Sequence, residues 1–175
     1  ELWHFLGYDG VPIAYSWPST PKRLAYASDI ETAVSSARNF RIFLNYLARE
    51  TDVERIHIVG YSAGTRLVTT ALSQIALSNS SSDETKIGNV VLISSDFDGE
   101  IVAGYLLDGM LDISEQTTLY TSSKDNALGS SEWLFRRRRL GQISGALNPG
   151  SIKFLEHFSD KLQIVDVTGA ANFSI

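Results

Sequence analysis

The sequence predicts an α/β architecture, a three-layer sandwich built on a mostly parallel, doubly wound sheet. Three observations carry this. Short β-branched runs recur along the chain and are largely apolar rather than cleanly alternating, as strands covered on both faces should be. Helical patterns lie between them, and strand, helix, strand in repetition means parallel pairing through crossover helices. The 175 residues are 43% hydrophobic and 20% charged, a composition that suits a single domain with a sizeable core.

The elements follow in order. "VPIAYSW" (11–17), "RIHIVG" (55–60), "NVVLISS" (89–95), "TTLYTSS" (117–123) and "LQIVDVT" (162–168) read as five strands. The clearest helix is 28–50, where Ile30, Ala33, Ala37, Phe40, Leu44 and Leu47 repeat at spacings of three and four behind a Ser28 or Asp29 cap. Residues 64–77, 99–111 and 151–158 read as further helices, and 130–142 as a shorter one. The Ser-rich stretch "SNSSSDETKIG" (78–88) is a surface loop within the domain, because strand and helix patterns continue on both sides. The run Arg136 to Arg139 reads as a solvated helix, since four consecutive helical charges point in different directions and Trp133, Leu134 and Leu140 supply a buried side.

Composition excludes several functions. A formal charge of −5 offers no broad electrostatic attraction to nucleic acid or to an anionic membrane surface. Without Cys there is no disulfide framework, thiolate nucleophile or Cys-based zinc site, and three His leave little for a metal cluster, so no cofactor is expected. No apolar run reaches the roughly 18 residues of a membrane span. The N-terminus "ELWHFLGYDG" carries neither an initiator Met nor a basic-then-apolar signal, and it reads as the start of a processed or excised chain.

One stretch bears on chemistry. "GYSAG" (60–64) matches GxSxG, a pattern that a chain of this composition holds by chance roughly one time in ten. Its setting is more specific, for it follows an apolar strand and opens a helix, as a nucleophile elbow requires. There Gly60 and Gly64 allow strand and helix to approach closely, the Ser62 hydroxyl stands at the C-terminal edge of the sheet, and the Ala63 N–H points at a developing oxyanion. The bland alternative is a Gly-rich turn in which Ser62 merely caps the helix.

"GYSAG" after "VERIHIV", with "DGVPIAYSWPS" upstream and "NVVLISSDFD" downstream, resembles the α/β-hydrolase superfamily. More narrowly, it resembles DUF900, a bacterial group of esterase- and lipase-like proteins of undefined substrate. "SWPS" and "SSDFD" are the more distinctive pieces. The resemblance covers most of the chain, and it implies a Ser-Asp-His hydrolase fold of undefined substrate; the partner expected of such a site is a small-molecule acyl substrate.

In that fold the triad runs Ser, then Asp or Glu, then His. Two strands after Ser62, Asp125 follows a strand's C-terminal end, where the superfamily usually keeps its acid; Asp96 is the runner-up and Asp98 reads as a helix cap. None of the three His fits the base. His57 lies inside the nucleophile strand, about 16 Å below Ser62 at about 3.3 Å per residue. His157 precedes the last strand, and His4 ends a helix leading into the first, which puts both at the wrong edge. The base is expected after the last strand, where relatives carry a Gly-His-Ser-Tyr-like segment that "GAANFSI" does not match. The second oxyanion donor is expected on a loop before Glu1. The chain therefore reads as a partial single domain, 1–175, truncated at both ends, with a complementing segment or chain supplying the missing strands. A non-catalytic α/β-hydrolase-like binding or scaffolding domain is the rival reading.

Overall fold

A computed structural model describes residues 4, 7, 9–18, 26–78, 82–94, 104–121 and 156–169. Among the described residues four strands form one all-parallel sheet, β1 (Ile56–Tyr61), β2 (Ile87–Ile93), β3 (Gln116–Thr121) and β4 (Leu162–Asp166), adjacent in chain order. Helix α1 (Tyr26–Glu50) precedes β1, and α2 (Ala63–Leu77) follows it. A single turn, α3 (Ser82–Thr85), leads into β2, and a 3-10 helix (Met110–Ile113) leads into β3. Four parallel strands with interleaved helices give the expected α/β sandwich.

The sequence explains which face is covered. On β1 burial alternates, with Ile56, Ile58 and Gly60 inside and His57, Val59 and Tyr61 outside. Register carries the inner set across to Val90 and Leu92, then to Thr117 and Leu119. Against this face pack Ala37, Phe40, Leu44 and Ala48 of α1 and Leu67, Val68, Ala71, Leu72 and Ile75 of α2, joined by Leu106, Met110, Leu111 and Ile113. Each large side chain so buried contributes about 1.5–3 kcal/mol relative to exposure. On the opposite face Val59 and Tyr61 are 46% and 54% exposed among the described residues.

Helix α2 is the central element. Every residue from Gly64 to Ser73 is buried, so no polar face remains. Its β-branched hydroxyls would otherwise weaken a helix, but Thr65 Oγ1 donates to the Ser62 carbonyl at 2.6 Å and Thr69 Oγ1 to the Thr65 carbonyl at 2.8 Å. The fully buried Ala33 and Ala37 leave the α1 backbone free to approach its neighbours closely.

Several expectations meet a different outcome. Residues 11–17 are not a strand: they join no ladder, and Val11 and Ile13 are 86% and 55% exposed. The segment is held through its aromatic side chains instead, Tyr15 lying 4.7 Å from Phe40 and 5.6 Å from Phe43 between ring centroids. β-branched composition describes fitness for a pleated surface, whereas a strand exists only where a neighbour completes its hydrogen bonds. The loop expected over 78–88 contains the turn α3 and the start of β2. Helix α1 begins at Tyr26, two residues before the expected cap. Of the helix expected at 99–111, residues 104–107 are helical and the 3-10 turn continues it to Ile113. Of that at 151–158, residues 151–155 lie outside the described residues, Glu156 is helical and 157–158 form a turn. The helix expected at 130–142 lies outside the described residues.

Candidate active site at the C-terminal sheet edge

The site begins with a turn too tight for side chains. A Cβ added at Gly60 would stand 3.3 Å from the Gly64 carbonyl oxygen, from Thr65 Cα and from Leu92 Cδ2. The end of β1 therefore lies directly against the first turn of α2, an approach close enough to favour glycine at position 60. The chain reverses within one residue. Ser62 takes φ 49° and ψ −123°, outside both the α and the β regions open to an L-residue. A non-glycine residue held there stores on the order of 1–3 kcal/mol of strain. The strain is held by bonds on both sides, Ser62 N–H donating to the Ile93 carbonyl at 3.0 Å and the Ser62 carbonyl accepting from Thr65 N–H at 2.9 Å.

What that geometry leaves uncommitted is chemically useful. The Ser62 hydroxyl makes no capping hydrogen bond to α2, although Ser62 occupies the N-cap position. A capping role is thereby excluded, and the partly buried Ser62 side chain stands at the end of the strand. Ala63 is the first helical residue, so its N–H has no intrahelical acceptor and lies at the positive end of a 15-residue helix. A negative oxygen formed beside Ser62 would meet that N–H. Over the same turn stands Trp17, whose ring atom Cη2 lies 3.5 Å from the place a Gly64 Cβ would occupy. The Trp17 indole N–H is buried with no hydrogen-bond partner.

The other expected site residues divide by position. Asp125, Asp96 and Asp98 lie outside the described residues. His57 sits on the second residue of β1, with Nδ1 accepting from the Asn89 N–H at 3.1 Å. That bond requires the tautomer with its proton on Nε2. His157 is exposed and stacks edge-on to Phe158 at 5.1 Å, in the turn that precedes β4. Both imidazoles therefore belong to the N-terminal side of the sheet, and His4 is exposed near the N-terminus.

Two residues at the C-terminal edge escaped the sequence reading. Ser94, one residue past β2, has φ 51°. Composition signals a left-handed position only when Gly or Asn occupies it, so a Ser there is invisible in sequence. Asp166 ends β4, and its Oδ1 accepts from the Thr168 N–H at 2.8 Å. Hydrogen bonds from the Thr168 side chain and then its backbone hold this exposed carboxyl below the usual carboxylate range. Among the described residues no group of three His, Asp or Glu side chains could hold a metal ion, and no helix is long and apolar enough to cross a membrane.

Comparison with known families identifies the family of the chain. The family model of DUF900, described as an alpha/beta hydrolase of unknown function, matches residues 1–173, and the chain belongs to that family. No curated protein and no solved structure was found to match it.

Proposed function

We propose that this DUF900 member is a serine hydrolase, esterase- or lipase-like, cleaving an ester or related acyl bond. The observation that carries the reading is the Ser62 backbone, strained to φ 49° and ψ −123° between a parallel strand and a helix, with its hydroxyl left out of the cap. Ser62 Oγ attacks the acyl carbon, forming an Oγ–C bond, while its proton passes to a general base. The Ala63 N–H donates to the resulting oxyanion. Collapse breaks the bond to the alkoxy group, which leaves with the proton from the base. Water then attacks the acyl-enzyme by the same route and releases the acid. Asp125 is proposed as the carboxylate that orients and charges the base.

The positions of His57 and His157 favour a second reading, because a hydroxyl with no imidazole beside it is a weak nucleophile. In that reading the elbow survives as architecture in a binding or scaffolding domain. Active-site titration of the full-length gene product with a fluorophosphonate separates the two. The hydrolase reading expects stoichiometric labelling on Ser62 and turnover of p-nitrophenyl esters, both abolished by Ser62→Ala. A folded protein that neither reacts nor turns over an ester would leave the binding reading standing.

A further inference from the structure

The register of β1 against β2 puts a second serine beside Ser62. Ile58, Val59, Gly60 and Tyr61 pair with Val90, Val91, Leu92 and Ile93, and the ladder runs one step further through Ser62 N–H to the Ile93 carbonyl at 3.0 Å. In a parallel ladder that bond makes Ser94 the partner of Ser62, one residue past the end of each strand. Three described non-glycine residues have positive φ, namely Ser62, Lys86 and Ser94. Two of them are thus neighbours at the same strand ends. Glycine would adopt φ 51° without strain, yet position 94 holds a partly buried Ser, and its hydroxyl makes no hydrogen bond among the described residues. Strain maintained in adjacent residues with both hydroxyls uncommitted is the pattern of a site rather than of a turn.

The side of Ser62 on which Ser94 lies defines its task. The Ala63 N–H lies on the helix side of the nucleophile, where the carbonyl oxygen goes. Ser94 lies on the sheet side towards β3, the strand followed in sequence by Asp125. Resting on the hydrolase reading, we infer that Ser94 is a substrate-contacting residue whose hydroxyl donates a hydrogen bond to the alkoxy oxygen of the ester as it leaves. The residue then selects substrates by leaving group. An alkyl leaving oxygen is strongly basic and, while it gathers charge before the base returns its proton, depends on the donor, whereas a phenoxide disperses that charge into its ring and does not.

The test pairs a p-nitrophenyl ester with the ethyl ester of the same acid in the full-length protein, using Ser94→Ala, Ser94→Gly and Ser94→Thr. Ser94→Ala is expected to lower kcat on the ethyl ester by about 10- to 100-fold, the size of a lost hydrogen bond to a charged oxygen, and to change p-nitrophenyl turnover by less than about threefold. Ser94→Thr keeps the hydroxyl and retains ethyl-ester activity. Ser94→Gly loses it as Ser94→Ala does, yet raises Tm by about 2–4 °C as the backbone strain is relieved, a combination that a merely structural role would not give. Equal losses on both esters, or no loss on either, would overturn the assignment while fluorophosphonate labelling of Ser62 still upheld the hydrolase. Absence of that labelling in the wild type would remove both.

Discussion

At the N-terminal edge of the sheet the polar groups are bonded to one another. Arg55 pairs with Glu115 at 2.8 Å, His57 accepts from Asn89, and Glu115 N–H is shared between the Ile87 and Gly88 carbonyls at 3.2 and 3.0 Å. Ser114 and Thr117 share a buried hydrogen bond at 3.1 Å, and Lys161 Nζ donates to the Ser114 carbonyl. At the C-terminal edge, Ser62 and Ser94 hold strained backbones and offer hydroxyls to no neighbour among the described residues. The contrast teaches that a parallel sheet separates its tasks by direction. Strand starts can be tied down because nothing must enter there, whereas strand ends converge with helix N-termini and leave groups for a ligand.

The two edges are also coupled. Ile56 pairs with Ile87, but Ile58 pairs with Val90, so β2 carries one extra residue opposite His57. The imidazole fills that bulge, and a Cβ at Gly88 would lie 2.9 Å from His57 Cε1. Were the Ile56–Ile87 register continued without the bulge, Ile93 rather than Ser94 would stand beside Ser62, since a one-residue slip exchanges every neighbour along the ladder.

The comparison can be broken most sharply at Ser62. Ser62→Ala should lower ester turnover by on the order of 10⁴ to 10⁶, the usual loss for a triad nucleophile, while leaving Tm nearly unchanged because alanine inherits the strained φ. Steady-state kinetics beside calorimetry tests both halves; a large fall in Tm would show that Ser62 holds the fold rather than the chemistry. Next comes Gly60→Ala, whose Cβ meets three atoms at 3.3 Å, two of them backbone. Overpacking there should cost about 1–3 kcal/mol in urea unfolding and depress turnover, as the elbow shifts.

At the opposite edge the expected effects are smaller and confined to stability. His57→Ala removes the acceptor of the Asn89 N–H and should cost about 0.5–1.5 kcal/mol in urea unfolding, with ester turnover per folded molecule unchanged. Any change in turnover would show that the imidazole itself, and not the extra residue of β2 alone, holds the register that sets Ser94 beside Ser62. Glu115→Gln should cost at most about 1 kcal/mol, since both partners are roughly half exposed, and the difference from wild type should vanish in high salt. The smallest effect concerns Asp166. Its carboxyl is held low by Thr168, so the folded state gains stability above the ordinary carboxylate pKa and loses it as pH falls through the lowered value. A carboxyl titration followed by NMR should find the Asp166 midpoint below that of a free Asp, and Thr168→Val should raise it.

Local order accounts for what the sequence determined by itself. The strand at 56–61, the turn at Ser62 and the helix from Ala63 are contiguous, so hydrophobic period and glycine spacing specify the elbow within a dozen residues. The buried stripe of α1 at Ala33, Ala37, Phe40 and Leu44 is legible for the same reason, because the helix makes its own hydrogen bonds. His57 could be set apart from Ser62 by its place near the start of the strand that ends at Tyr61. Only the tertiary structure decided that 11–17 would not be a strand, since its ladder partner would have to come from elsewhere in the chain. It alone set Ser94 beside Ser62. Those residues lie far apart in sequence, and their pairing follows from a bulge at Gly88 and Asn89 that no local pattern announces. Periodicity is written into each segment, but register is a relation between two segments, and it is settled by the contacts made when they meet.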